Sequence, residues 1–390
     1  MVTHKAIAAT GSNSRFFHID AMRAFAVLLV VFGHAGMDRF VPGGSGVTIF
    51  FTISGFVITY VVLRERLRTR SFNIRGFYWR RLVKLGPPLI IAIAIPTGVY
   101  AIWSHVSISD FLGELFFYYN WIKASGGGEV LPGTGVVWSL SIEEQFYVFF
   151  ALFWLLAYRR RRWYVWLYLG GLVIVAVSFC SRTALALTEA TEARIYYGTD
   201  SRVEALGFGI MLAVLIVRIQ AGAVNRLETT VFKLSSTPAL LYGSVIVYVC
   251  SLVVREDLFR VTGRFSLQAL AACGVILYGF GVSASRTRLC GGGGVTRRAF
   301  DIVCQNRVVN EIGLASYSIY LIHLVIILLL APALAGWPSP LRVLVFVPVG
   351  LIAGWLLYRL VEIPVQRWNR SRRSVLVAND PKVGRARTGS

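Results

Sequence analysis

The chain has 390 residues, 56% of them hydrophobic and 15% charged, with a net charge of +21. That balance is too apolar for an ordinary soluble domain, and the basic residues stand in short clusters between long apolar runs rather than on one polar surface. A nucleic-acid binder is therefore excluded, and the charge is read as membrane topology.

Residues 1–15 are polar and are expected to be disordered. No cleaved signal peptide is read after them, because the first apolar run is cut by His34 and lacks a small-residue cleavage site. Runs long enough to cross about 30 Å of hydrocarbon, at about 20 residues each, lie near 21–37, 46–63, 85–103, 136–157, 163–180, 203–219, 239–254, 265–285, 312–332 and 341–360. The expected fold is all-α: a polytopic membrane protein of about ten transmembrane helices.

The connections alternate in character. Residues 64–84, 159–162, 218–233, 286–307 and the stretch from Arg359 onward, together with the first residues up to Arg23, hold 31 of the 40 Lys and Arg residues. The excess of positive charge on alternate connections places both termini on the cytoplasmic side. The expected organisation is a membrane domain over 16–368 and a basic cytoplasmic tail over 369–390, with "GGGG" at 291–294 as a flexible linker. The five cysteines form no disulfide framework and no zinc-site spacing, so no metal is expected.

Certain polar residues sit where hydrocarbon should be. "RAFAVLLVVFGHAG", 23–36, carries Arg23 and His34 eleven residues apart, which is three helical turns plus about 20°, so both face one way about 16 Å apart. A charged side chain at mid-span costs on the order of 2.5–3.5 kcal/mol on insertion scales, which makes such residues functional candidates. Snorkelling of Arg23 and helix-packing hydrogen bonds from His34 are the plain alternatives. Asp20 lies three residues before Arg23, at ion-pair spacing. "GVTIFFTISGFVIT" brings Ser54 among small and aromatic residues, and a nucleophilic serine would need a base beside it. "FYWRRLVKLGPP" clusters Arg80, Arg81 and Lys84, a pattern suited to phosphates. "WSLSIEEQFY" puts Glu143 and Glu144 into the fourth run, about 100° apart around the helix. Asp200, Arg202 and Glu204 read as structural ion pairing, and "SYSIYLIHLVI" holds His323 with Tyr317 and Tyr320.

Taken in order with a closing "VEIP", these segments resemble the acyltransferase 3 family of membrane O-acyltransferases from about residue 16 to 368. The resemblance implies a multi-pass protein of the bacterial inner membrane that moves an acyl group, most often acetyl from cytoplasmic acetyl-CoA, onto a hydroxyl of a sugar or glycoconjugate. It puts the family's Arg-x10-His motif on Arg23 and His34 and its Ser-x-Glu element on Ser141 and Glu143. Its basic cluster falls on Arg80, Arg81 and Lys84, the last where relatives usually carry arginine. Many relatives add an esterase-like domain after the last span, which this chain is expected to lack.

His34, Glu143 and Asp20 are thus the candidate catalytic residues, with Glu143 orienting His34 as a general base. Arg23, Arg80, Arg81 and Lys84 are candidates for the donor's phosphates, and Ser54, Ser141, Tyr317 and His323 for substrate binding. Direct transfer and an acyl-enzyme relay both fit. The alternative class is a transporter or acyl flippase using intramembrane Arg, His and Glu.

Overall fold

The computed structural model describes residues 15–222, 224–286 and 294–378. The start expected to be disordered lies almost wholly outside the described residues, as do positions 291–293 of the glycine linker and the tail from 379.

Ten helices carry the architecture: α1 Phe17–Phe32, α2 Gly43–Thr69, α3 Ile74–Leu89, α4 Val137–Ala157, α5 Trp163–Leu187, α6 Glu204–Gln220, α7 Pro238–Val253, α8 Gly263–Arg286, α9 Arg307–Leu330 and α10 Ser339–Leu357. No strand occurs among the described residues. In hydrocarbon only a helix satisfies its own backbone donors and acceptors, and the long runs of Leu, Val, Ile and Phe take that form. Polar side chains close several ends: Asn73 Oδ1 accepts from the Gly76 amide at 2.8 Å, and Asn306 Oδ1 accepts from the Val308 amide at 2.9 Å.

Eight helical stretches among the described residues are long and apolar enough to span a membrane, and a ninth arises if Arg226–Ser235 and Pro238–Val253, bent by 84°, count as one span. The expected sixth span is α6, only 17 residues long. At 1.5 Å per residue it reaches about 26 Å, the short end of what crosses a bilayer. It runs enclosed between α2 and α5. Gly55 of α2 and Gly209 of α6 meet the facing backbone with no room for a Cβ on either, the close approach that small residues give helices in membranes.

The pairings of α9 set the site. It runs parallel to α1, with Gly313 against Asp20, Ser316 bonded to Arg23 and His323 bonded to His34. It runs antiparallel to α10, where Gly354 lies against Ile319 and Gly350 against His323.

Three π turns interrupt these helices, over Gly33–Met37, Ile90–Ala94 and Tyr358–Glu362. Such turns insert an extra residue and rotate the side chains that follow, often at functional sites. The first ends α1 through Gly36 at φ 105, a left-handed conformation that glycine adopts without strain, and it contains His34. The third delivers Glu362. Beyond it the chain continues as a helix, Ile363–Ala378, so the first part of the expected basic tail is helical. Trp79 Nε1 anchors it by donating to Asn369 Oδ1 at 2.9 Å.

Candidate active site

A cavity of about 230 Å³ opens between α1, α2, α3, α4 and α9. Arg23, Arg80, Arg81 and Lys84 line it, with Ser54, Glu143, Tyr147, Tyr317, Ser139 and Tyr320. All four expected phosphate-binding residues therefore converge on one space. Arg23 Nε donates only to a neutral oxygen, Ser316 Oγ, at 3.1 Å. Arg81 lies 3.1 Å from the Tyr147 ring centroid and 3.3 Å from Glu144 Oε1, while Arg80 reaches Glu65 at 3.4 Å. Lys84 lies within electrostatic range of Arg23, Arg81, Glu143 and Glu362. The ring face under Arg81 offsets part of the cost of removing its charge from water.

Glu143 lines the cavity and accepts from Tyr147 OH at 3.2 Å. Glu144 points about 100° away and pairs with Arg81. Glu362, not singled out from the sequence, accepts from Ser318 Oγ at 2.8 Å and from Gln366 Nε2 at 3.0 Å and is 1% exposed. Its signal was present as the one carboxylate in the closing "VEIP".

Two expectations need correction. Asp20 does not pair with Arg23 three residues on. It accepts from Arg15 Nε at 2.6 Å, at the opposite end of α1 from His34, because Arg23 turns toward Ser316. Ser141 does not line the cavity. It donates to the Val137 carbonyl of its own helix at 3.2 Å, and Ser139, one turn before Glu143 and on the same face, takes the cavity position instead. Ser54 lines the cavity beside Glu143, and Tyr317 does so while donating to the Leu85 carbonyl at 2.9 Å.

Tyr320 lines the cavity on the side of the histidines. Its hydroxyl donates to the Val136 carbonyl at 3.1 Å and lies 2.8 Å from Ser139 Oγ. Its ring sits 5.9 Å from that of His323, and His323 in turn stacks on His34 with ring centroids 5.1 Å apart.

The histidine pair fixes its own protons. His323 is fully buried, and its Nδ1 lies 2.7 Å from the Tyr320 carbonyl and 3.1 Å from that of Ile319. Carbonyl oxygens only accept, so in the neutral ring Nδ1 carries the hydrogen and Nε2 the lone pair. His34 Nδ1 stands 2.9 Å from that Nε2 and therefore donates to it. The remaining lone pair falls on His34 Nε2. His34 is exposed, and Glu129 and Asp38 lie within electrostatic range of it. The partner that orients His34 is thus His323 rather than Glu143, which lies one turn along α4 from Ser139, toward Arg81 and Tyr147.

The carboxylates read as structural at the start of α6 do form ion pairs, with cations from outside that cluster: Arg182 to Glu204 at 2.9 Å, fully buried, and Arg194 to Asp200 at 2.8 Å. Arg202 departs from the pattern. Its guanidinium lies 3.7 Å over the Phe265 ring and 4.9 Å over Tyr196, with no hydrogen-bond acceptor among the described residues.

A multi-helix membrane protein with a cation-lined cavity and, next to its Tyr320 side, an oriented imidazole is the class that fold and site define. A family model described as an acyltransferase domain, that of acyltransferase 3, matches residues 16–359, and the chain belongs to this family. The peptidoglycan O-acetyltransferase OatA of Listeria monocytogenes is 27% identical over 366 residues, 90% of this chain and 55% of that protein. The O-acetyltransferase OatA of Staphylococcus aureus is 29% identical over 207 residues, 50% of this chain and 34% of that protein. The chain spans about half the length, or less, of these curated relatives. No solved structure matches it.

Proposed function

We propose that the protein transfers an acetyl group from acetyl-CoA, held at the cytoplasmic face, to a hydroxyl of a glycan or glycoconjugate on the other face of the bacterial inner membrane. The observation that carries this reading is the His34–His323 pair: an exposed imidazole whose Nε2 lone pair is set by a buried neighbour, separated by Tyr320 from a cavity lined with cations.

The donor's phosphates lie against Arg23, Arg80, Arg81 and Lys84, where the guanidinium forks match phosphate oxygens. Its thioester arm runs along the cavity toward Tyr320, which has to turn aside for the carbonyl to reach His34. The acceptor hydroxyl approaches His34 from the exposed side. As its oxygen attacks the thioester carbon, its proton passes to His34 Nε2, and the resulting imidazolium is stabilised by His323. The C–S bond then breaks and His34 returns the proton to the departing thiolate, giving free CoA and an ester. General-base assistance of this kind contributes about 10²–10⁴-fold. His323 does for His34 what a buried acidic partner does in a hydrolase triad: it holds the tautomer and ring orientation.

The relatives named for O-acetyl transfer, one of them to peptidoglycan, support the acetyl group and a glycan acceptor. The test is transfer of labelled acetyl from acetyl-CoA to glycan acceptors by purified protein in detergent. Labelled ester on the glycan is the expected result, and label remaining on CoA with every acceptor would refute the reading.

A further inference from the structure

Nine Lys and Arg residues fall outside the basic connections counted above. The positive-inside bias leaves few cations on that side, and a random scatter would spread them around the bundle. Four do not scatter. Arg39, Arg255, Arg260 and Arg264 line one pocket of about 310 Å³, together with Asp38 and Phe40.

The fold places this pocket at the His34 end. Arg39 follows the π turn that contains His34, and Asp38 both lines the pocket and acts electrostatically on His34. Arg264 opens α8, whose other end packs Gly279 against His18 at the start of α1. Pro42, also in the lining, stands 23 residues before Glu65, the partner of Arg80. Along α2 that is about 35 Å, so this pocket and the Arg80–Arg81 end of the donor cavity lie at opposite ends of the bundle, while the cavity's Val47 end comes closer.

The charge here is weakly compensated. Arg260 pairs with Asp257 at 3.0 Å, and Asp38 adds one carboxylate. Arg39, Arg255 and Arg264 pair with no carboxylate among the described residues, and the Arg264 Nε is buried without a hydrogen-bond partner. Arg255 and Arg260 are both within electrostatic range of Arg264. Like charges gathered around a concave space repel unless an anion joins them, and guanidinium forks select planar or tetrahedral oxyanions.

We propose that this pocket binds an oxyanion, phosphate or carboxylate, carried by the acyl acceptor, so that the acceptor is an anionic glycoconjugate anchored by its charge while its hydroxyl meets His34. The inference rests on the proposed acyl transfer for its acceptor, and it has a readout that does not.

The experiment measures equilibrium binding of radiolabelled glucose 1-phosphate, glucuronate and neutral glucose to the purified protein in uncharged detergent, with excess CoA present to occupy the donor cavity. The expected result is saturable binding of the two anionic sugars and not of glucose, weakened at least tenfold in Arg255→Gln/Arg264→Gln and unchanged in Arg80→Gln/Arg81→Gln. Equal binding by wild type and Arg255→Gln/Arg264→Gln would overturn the proposal. Phospholipid headgroups offer the same oxyanion, so a second arm repeats the measurement in nanodiscs of anionic or of zwitterionic lipid. Retained sugar binding in both supports an acceptor site, and loss in anionic lipid alone would assign the pocket to lipid and overturn it. If acetyl moves to no acceptor yet the anionic sugars bind as described, the acyl-transfer reading fails while the oxyanion site stands.

Discussion

The two ends of α1 meet the same partner helix in different chemical terms. At one end Arg23 donates to Ser316, a neutral hydroxyl, and its charge stays available to the cavity shared with Arg81 and Lys84. At the other end His34 donates to His323, and the bond commits one ring nitrogen so that the other keeps its lone pair. The proposed grip leaves charge unsatisfied, and the proposed base has all but one lone pair satisfied. The first arrangement should show itself in binding and the second in turnover.

The comparison breaks most visibly at His34. His34→Ala removes the proposed proton acceptor and should lower kcat for acetyl transfer by about 10²–10⁴-fold, with wild-type protein levels in the membrane and donor binding retained. His323→Phe keeps an aromatic ring in the buried slot but offers His34 Nδ1 no acceptor. Outer-shell partners of metal-bound histidines are worth about 10–100-fold; on the same scale kcat should fall by that much and the KM for acetyl-CoA should stay. A change confined to KM would mean that His323 is packing alone. Arg81→Gln should act the other way, raising the KM for acetyl-CoA about tenfold, the loss of one charge-assisted hydrogen bond, with little change in kcat.

The smallest expected effect lies away from both ends, at Glu114 in the short helix Ile108–Leu115, outside the spans. Its carboxylate is fully buried, with the Thr134 hydroxyl as its polar neighbour. Burial pushes its pKa up to about 8, and Glu129 and Asp110 add to the rise. The folded state then holds the proton more tightly than the unfolded chain. This contribution to stability is full below the unfolded value near 4.3 and is lost as pH rises toward about 8. Glu114→Gln should raise Tm by a few degrees at pH 9 and leave it unchanged at pH 4, as followed by thermal unfolding in detergent.

The sequence carried most of the spans, eight of the ten expected being long and apolar enough among the described residues, and the cationic residues of the cavity, because both depend on patterns that survive in one dimension. Apolar length marks a helix in lipid; Arg23 and Glu143 stood out against such a run, and Arg80, Arg81 and Lys84 as a basic cluster at the entrance to the third. What it could not carry was pairing between helices. Nothing local links His34 to His323, 289 residues apart, and Glu143 is an equally good partner for a histidine until α9 is seen to lie parallel to α1. Ser141 was put forward by the family's Ser-x-Glu element, which does not say which face meets the cavity; Ser139, four residues before Glu143, shares its face. Glu362 and the pocket of Arg39, Arg255, Arg260 and Arg264 were hidden because a π turn and the return of distant connections to one end of the bundle assemble them.

The central claim, that His34 is the base and His323 sets its proton, is tested most directly by the transfer of labelled acetyl from acetyl-CoA to a glycan acceptor in wild type, His34→Ala and His323→Phe, each purified and matched for CoA binding. The account predicts loss of turnover in the first variant and a partial loss in the second, both with CoA affinity intact. Wild-type turnover in His34→Ala would contradict it.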